Sequence, residues 1–317
     1  MSVEHLTICE VGPRDGLQNE KSPISTEQKL ALVNGLIGAG ARFIELTSFV
    51  NPKAVPQMAD ADQLLPAALA AHAPQARVLR QAQAADLRFM SLVINEKGYE
   101  RAIAAGGKAI NIVVVASESL CQRNNRMSTQ ESLNVAKQLL ARAKQDGVWA
   151  RVSIAAAWVC PFDGPTPPQR VFMCADAVWE AGVDELALAD TIGHAHPLAV
   201  GQLLEQLGKR YAMRKLAAHL HDTQAMGLAN AYAAIQAGVR IFDTSVGGLG
   251  GCPFAPGATG NLATEDLVFM AHKMGFETGF NLDALWSVVY ESEPLIGRRI
   301  GGRMREWWEK QGVKREA

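Results

Sequence analysis

The sequence predicts an α/β chain folded as a closed ring of eight β-then-α units, a (β/α)8 barrel with a C-terminal helical extension. Three observations predict it. Short β-rich runs alternate with helical runs eight times without reversal. Three of the helical runs, "AIAAGG", "VWEAGV" and "AIQAGV", stop at glycine just before the next strand. The turn after the first strand, "EVGPRDGLQ", lacks the G-x-G-x-x-G fingerprint that a doubly wound nucleotide-binding sheet would want.

The strands read, in order, as 5–11, 42–47, 89–94, 109–115, 151–157, 185–190, 215–220 and 240–245. In "QKLALVNGLIGAG" the residues Leu30, Val33, Leu36 and Ile37 recur at helical spacing, and Ser25 with Gln28 forms a capping box ahead of them. The Ala/Gln-rich stretch 66–86 reads as helix plus loop within the barrel. Past residue 275 a helical extension follows, ending in "RRIGGRMREWWEKQGVKREA", which reads as an amphipathic packing helix. No charge block or low-complexity linker divides the chain, so residues 1–280 are expected to form the barrel and 281–317 the extension packed on it.

Composition narrows the partners. A chain of 317 residues with 48% hydrophobic side chains holds ample material for a core. A formal net charge of -1 gives no electrostatic footprint for nucleic acid or an anionic membrane. No apolar run reaches the length of a membrane-spanning helix, and the N-terminus has the pattern of neither a signal peptide nor a transit peptide. The five cysteines are odd in number and contain no C-x-x-C pair, which speaks against a disulfide framework and for a reducing, cytoplasmic location. Cys9, Cys160 and Cys174 read as small buried hydrophobes.

A barrel of this kind carries its chemistry where strands end and βα loops begin. Those positions hold Arg14 and Asp15, Glu45, Asp190, His219 and His221, and then Cys252 and Asn261. His219 and His221 are two apart on a strand, so both imidazoles face one way and Leu220 the other. Two imidazoles on one face can grip a divalent metal, and closure of the ring brings Asp15 near them. Such mixed nitrogen and oxygen ligation does not choose among Mg²⁺, Mn²⁺, Co²⁺ and Zn²⁺. A guanidinium at Arg14 suits an enolate or carboxylate oxygen. Glu45 is expected to orient Arg14 or carry a proton. Asp190 reads equally as a helix N-cap or as a partner of a metal-bound histidine. The stretch "GGLGGCPFAPGATGN" places one thiol, Cys252, among six glycines and two prolines, a composition that excludes helix and strand interior.

These residues resemble a known family. "EVGPRDGLQNEK", "IELTSFVNPKAVPQMAD", "ADTIG", "HLHDTQAMGLAN" and "GGLGGCPFAPGATGNLATEDLV" closely resemble 3-hydroxy-3-methylglutaryl-CoA lyase, one of the TIM-barrel metallolyases, over roughly residues 4–280. The resemblance implies cleavage of that thioester to acetyl-CoA and acetoacetate. It implies a divalent metal, Mg²⁺ or Mn²⁺, on Asp15, His219, His221 and Asn261. It implies that Asp15 or a histidine takes the hydroxyl proton, that Arg14 stabilises the thioester enolate, and that Cys252 protonates the enolate carbon with Glu45 in support. A homodimer or higher homo-oligomer is also implied. The chain departs from the family pattern at Ala189, at His194 and His196, in 119–128 and in 156–164. Those segments lie in substrate-side loops, so the same chemistry on a different 3-substituent, or a related acyl-CoA aldolase, stays open. His194 and His196 read as exposed loop residues.

Overall fold

In the computed structural model, which describes residues 3–72, 86–251 and 260–315, eight parallel strands close into a barrel. They are β1 (Thr7–Glu10), β2 (Phe43–Ser48), β3 (Arg88–Val93), β4 (Ala109–Val115), β5 (Trp149–Ala155), β6 (Glu185–Ala189), β7 (Leu216–His219) and β8 (Ile241–Thr244). Each pairs with its sequence neighbour, and β1 pairs with β8 to close the ring. All eight expected strands are present. The fifth ends at Ala155 rather than residue 157, because Ala156 turns the chain with φ of +53°. A two-residue antiparallel hairpin, Val159–Cys160 with Gly164–Pro165, follows it.

The helices around the barrel are α1 (Thr26–Gly38), α2 (Ala61–Ala71), α3 (Glu96–Ala104), α4 (Glu118–Asn125), α5 (Thr129–Asp146), α6 (Pro168–Glu180), α7 (Pro197–Gly208), α8 (Gly227–Gln236) and α9 (Thr264–Lys273). The Ser25–Gln28 capping box is formed at the start of α1. Gly106, Gly182 and Gly238 follow α3, α6 and α8 with positive φ, as the glycine stops require. Of stretch 66–86, α2 takes the start, with Pro66 inside it; residues 73–85 lie outside the described residues. Two helices follow the barrel, α10 (Leu282–Ile296) and α11 (Arg305–Arg315). α10 packs on α1 where Gly35 faces Val288.

Outward-facing strand residues such as Ile44, Ile112, Ile154, Leu186, Leu188 and Phe242 join the helices in one continuous core. The barrel interior differs. Its N-terminal end is apolar, with Cys9, Phe43, Met90, Ala109 and Trp149 packed together. Its middle and C-terminal end are lined by charged and polar side chains that the alternation of the strands brings inward. Cys9, Cys121, Cys160 and Cys174 are buried thiols.

Candidate active site

The turn after β1, Gly12–Gly16, presents Arg14 and Asp15 at the C-terminal mouth. The amide N–H groups of Asp15 and Gly16 both return to the Val11 carbonyl, at 2.8 and 3.2 Å. The sequence is G-P-R-D-G for a steric reason. A Cβ on Gly12 would lie 2.6 Å from Glu10 Oε1, and one on Gly16 2.7 Å from Ser245 Oγ. Glu10 holds the turn from below. Its Oε1 accepts from Gly12 N and Val246 N at 2.8 and 2.9 Å, and its Oε2 accepts from Thr264 Oγ1 at 2.6 Å.

Arg14 is clamped on both sides. Its Nε donates to Glu45 Oε2 at 2.6 Å and its Nη1 to Asp15 Oδ1 at 2.6 Å. Glu45, in the middle of β2 rather than at its expected end, is in turn held by Asn111 Nδ2 at 2.8 Å, and Ser153 Oγ donates to Asn111 Oδ1 at 2.9 Å. Glu45 is thus in direct contact with Arg14.

The histidines meet Asp15 from the other side. His219 and His221 bring their rings together with centroids 5.0 Å apart, His219 ending β7 and His221 lying just beyond it. Leu220 points into the helix-side core. One ligand atom each from Asp15, His219 and His221 lies within 4.8 Å of the others. His219 Nε2 is 3.9 Å from Asp15 Oδ2. His219 Nδ1 contacts Asp243 Oδ2 at 3.2 Å, and His221 Nδ1 contacts the Asp190 carbonyl oxygen at 2.8 Å. Each ring therefore has one nitrogen anchored and the other turned toward Asp15. Asn261 completes the group: its Nδ2 donates to Asp15 Oδ2 at 2.8 Å and to the Leu249 carbonyl at 3.0 Å.

Asp190 is not the N-cap of the next helix, and it partners His221 through its main chain rather than its carboxylate. Its carboxylate accepts the His194 and Ala195 amides, closing its own loop, while its main-chain oxygen is the group that anchors His221. The N-cap of α7 is His196, whose Nδ1 accepts from Ala199 N. His194 and His196 are exposed. Cys252 lies outside the described residues. The glycine segment leaves the barrel through Gly247–Gly251 and returns through Gly260 and Asn261.

Below the histidines lies a layer the sequence reading missed. Arg151 is fully buried; its Nε donates to Glu185 Oε1 at 2.6 Å and its Nη1 to Asp243 Oδ1 at 2.6 Å. Each of these residues interrupts an otherwise apolar strand at an inward position: Asn111 in "AINIVVV", Arg151 and Ser153 in "RVSIAAA", Glu185 in "ELALA" and Asp243 in "RIFDT". Strands of a parallel barrel are buried on both faces and ordinarily near-continuously apolar, so alternate polar residues were the available signal.

The electrostatics follow from these contacts. Burial by itself would raise the Asp15 carboxyl, but the charges of Arg14, His219 and His221 and the Asn261 bond bring it down to about 2. Burial, reinforced by His219, lowers His221 to about 4. Burial would lower His219 as well, yet the bond and charge of Asp243 and the charge of Asp15 outweigh it and raise it. Burial pushes Asp190 up to about 6.

A divalent cation fits this donor set. Arg14 and Arg151 are each paired with two carboxylates, Asp15 and Glu45 for one and Glu185 and Asp243 for the other, so the buried network carries more negative than positive charge. Asn261 Oδ1 is buried and has no hydrogen-bond partner among the described residues. An orphaned buried carbonyl oxygen beside a carboxylate and two imidazoles is what a cation would satisfy.

A model of the HMGL-like family matches residues 5–290. The chain belongs to the HMGL-like family. This HMGL-like chain is 39% identical over 296 residues to the hydroxymethylglutaryl-CoA lyase of Pseudomonas mevalonii, covering 93% of this chain and 94% of that one. It is 42% identical over 299 residues to the (R)-citramalyl-CoA lyase of Chloroflexus aurantiacus, covering 94% and 93%. Among solved structures it resembles an HMG-CoA lyase from Acinetobacter baumannii in complex with coenzyme A and 3-methylmalate, with a TM-score of 0.86, 33% identity and 95% and 94% coverage. An HMGL-like chain with these relatives is a carbon-carbon lyase for a coenzyme A substrate. Among the described residues no helix is long and apolar enough to cross a membrane.

Proposed function

We propose that the chain cleaves 3-hydroxy-3-methylglutaryl-CoA to acetyl-CoA and acetoacetate. The observation that carries this reading is the convergence of Asp15, His219, His221 and Asn261 beside a clamped Arg14 at the barrel mouth. Asp15, His219, His221 and Asn261 would hold a divalent cation, Mg²⁺ or Mn²⁺ by the chemistry of the set. When bound, it supplies positive charge that acidifies the substrate hydroxyl.

The remaining work falls to the chain's own side chains. Asp15 or one of the histidines takes the C3 hydroxyl proton. The C2–C3 bonding pair then moves to C2 as the hydroxyl oxygen becomes the ketone of acetoacetate. Arg14, held in place by Glu45, stabilises the thioester enolate oxygen. The Cys252 thiol delivers a proton to C2, giving acetyl-CoA, and its thiolate is reprotonated after the products leave. Exclusion of bulk water would keep that proton transfer specific. The same proposal includes a homo-oligomer of this chain and a division into residues 1–280 and 281–317.

A second reading has specific support. The relative with 42% identity acts on citramalyl-CoA, and the coenzyme A-bound neighbour holds 3-methylmalate, both with shorter acids than the glutaryl chain. Beside His219, the inward position on β6 is Ala189, in register with it. Where the family pattern has glycine, a methyl at this inward position would take up room beside the histidine and favour a shorter acid. The test is acetyl-CoA release from both thioesters by purified protein, with Mg²⁺ or Mn²⁺ and then with EDTA. Metal-dependent release from the glutaryl thioester with the higher kcat/KM supports the first reading. Preference for the citramalyl thioester supports the second, and release unaffected by EDTA sinks both. Cys252→Ser is expected to bind metal normally and to lose turnover; full turnover would remove the thiol from the mechanism.

A further inference from the structure

The segment between α10 and α11 lies at the catalytic mouth, although it follows the whole barrel in sequence. Gly301 N donates to the Gly247 carbonyl at 3.0 Å. The Glu265 carboxylate joins the same two strands of chain, accepting from Gly247 N at 3.0 Å and from Gly302 N at 2.7 Å. Asp266 accepts from Arg303 N and Met304 N at 2.6 and 3.1 Å. The approach is close enough to demand glycine: a Cβ on Gly302 would lie 2.4 Å from the Asp266 carboxylate, and one on Gly247 2.7 Å from Ile300 Cδ1. The strap is thus fixed to the root of the Cys252 segment by one main-chain bond and by the Glu265 carboxylate that bridges Gly247 and Gly302.

From this anchored strap Arg303 reaches the other metal-side loop. Its Nε donates to Asp222 Oδ2 at 2.6 Å and its Nη2 to the Asp222 main-chain oxygen at 3.3 Å. Asp222 directly follows His221. It also touches the return of the cysteine segment, where its amide donates to the Gly260 carbonyl at 3.2 Å, and it caps the start of α8 by accepting from Gly227 N at 2.8 Å. One residue, Asp222, therefore joins the histidine loop, the end of the glycine segment and the C-terminal strap.

We propose that Arg303 is a positioning residue for the reaction: the C-terminal strap, through Arg303 and Asp222, fixes His221 relative to Asn261 and to the root of the Cys252 segment. The proposal rests on the metal-dependent reading above. The Arg303 side chain is 53% exposed, and an ion pair so exposed contributes little to folding, of order 0.2–1 kcal/mol. What the pair supplies is geometry. Its guanidinium grips a carboxylate oxygen and a main-chain oxygen of the same residue, which a flexible ammonium would do less rigidly.

The test compares Arg303→Met, Arg303→Lys and the parent protein by direct Mn²⁺ titration, steady-state kinetics and thermal unfolding, with Arg142→Gln as a control on the exposed pair with Glu96. R303M is expected to weaken Mn²⁺ about threefold to tenfold, less than the roughly 10–100-fold of a direct partner of a ligand. Its kcat is expected to fall with KM unchanged and with thermal stability near that of the control. R303K is expected to recover part of the Mn²⁺ affinity. Unchanged Mn²⁺ affinity and kcat in R303M would overturn the proposal, as would a rise in KM alone, which would make Arg303 a substrate contact. Failure of the parent protein to bind Mn²⁺ would instead overturn the metal-dependent reading. If R303M is unstable, Asp222→Asn combined with R303K replaces it, and additive effects of the two changes on Mn²⁺ affinity refute the coupling.

Discussion

Asp243→Asn tests the buried layer beneath the metal site. The Asp243 carboxylate gives one oxygen to Arg151 Nη1 at 2.6 Å and the other to His219 Nδ1 at 3.2 Å. Asparagine has almost the same shape but one acceptor oxygen, so one partner must face an NH₂ group. The amide is neutral either way, so Arg151 keeps Glu185 as its one carboxylate; if the amide turns its nitrogen to Arg151, two donors also meet in a dry site. Breaking a buried pair in this way costs about 3–5 kcal/mol. If the nitrogen turns to His219, Nδ1 must become the acceptor. The ring proton then moves to Nε2, which faces Asp15, and that nitrogen can no longer bind a cation. Loss of such a carboxylate partner typically weakens metal about 10–100-fold, or about 1.4–2.7 kcal/mol. The second arrangement is the cheaper, so D243N is expected to remain folded and to bind Mn²⁺ at least about tenfold more weakly. The assays are calorimetric Mn²⁺ titration and equilibrium urea unfolding on the same preparation. Mn²⁺ affinity within twofold of the parent together with unchanged stability would refute the reasoning, because then neither acceptor of Asp243 matters.

Three further outcomes are expected. Mn²⁺ affinity should fall as pH falls, because Asp243 and Asp15 raise His219 and a cation must displace its proton. Below that raised value the loss should approach about tenfold per pH unit, and titrations at pH 6, 7 and 8 that gave one affinity would contradict it. Asn261→Ala removes the orphaned Oδ1 and the bond to Asp15. It should weaken Mn²⁺ by about tenfold while leaving the far-ultraviolet circular dichroism of the barrel unchanged, and undiminished affinity would take Asn261 out of the ligand set. Ala225 is exposed and holds φ of +62° in the turn after His221. Ala225→Gly removes that left-handed strain and should raise stability by about 0.5–1 kcal/mol, a melting temperature about 1–3 °C higher; a lower melting temperature would argue against the strain.

The sequence by itself determined the architecture. The alternation of apolar runs such as "AINIVVV" with glycine-stopped helices is local information, and each of the eight strands formed where its own residues place it. The end-of-strand positions were also legible. Arg14, Asp15, His219 and His221 stand there because a parallel barrel puts every strand's C-terminal end on one face. Tertiary structure decided the rest. That Glu45 meets Arg14 depends on β2 lying beside the turn after β1. That Asp190 acts on His221 through its main-chain oxygen depends on the register of β6 against β7. Arg151, Glu185 and Asp243 come from three separate strands and become a network because the closed ring turns them inward together. Arg303 is 81 residues from Asp222 and reaches it because α10 packs back on α1 and returns the chain to the mouth. A side chain's type and local period are written in the sequence near it. Which distant charge neutralises it is set by closure of the ring and by the path of the chain, since a buried charge must find its partner wherever the fold places one.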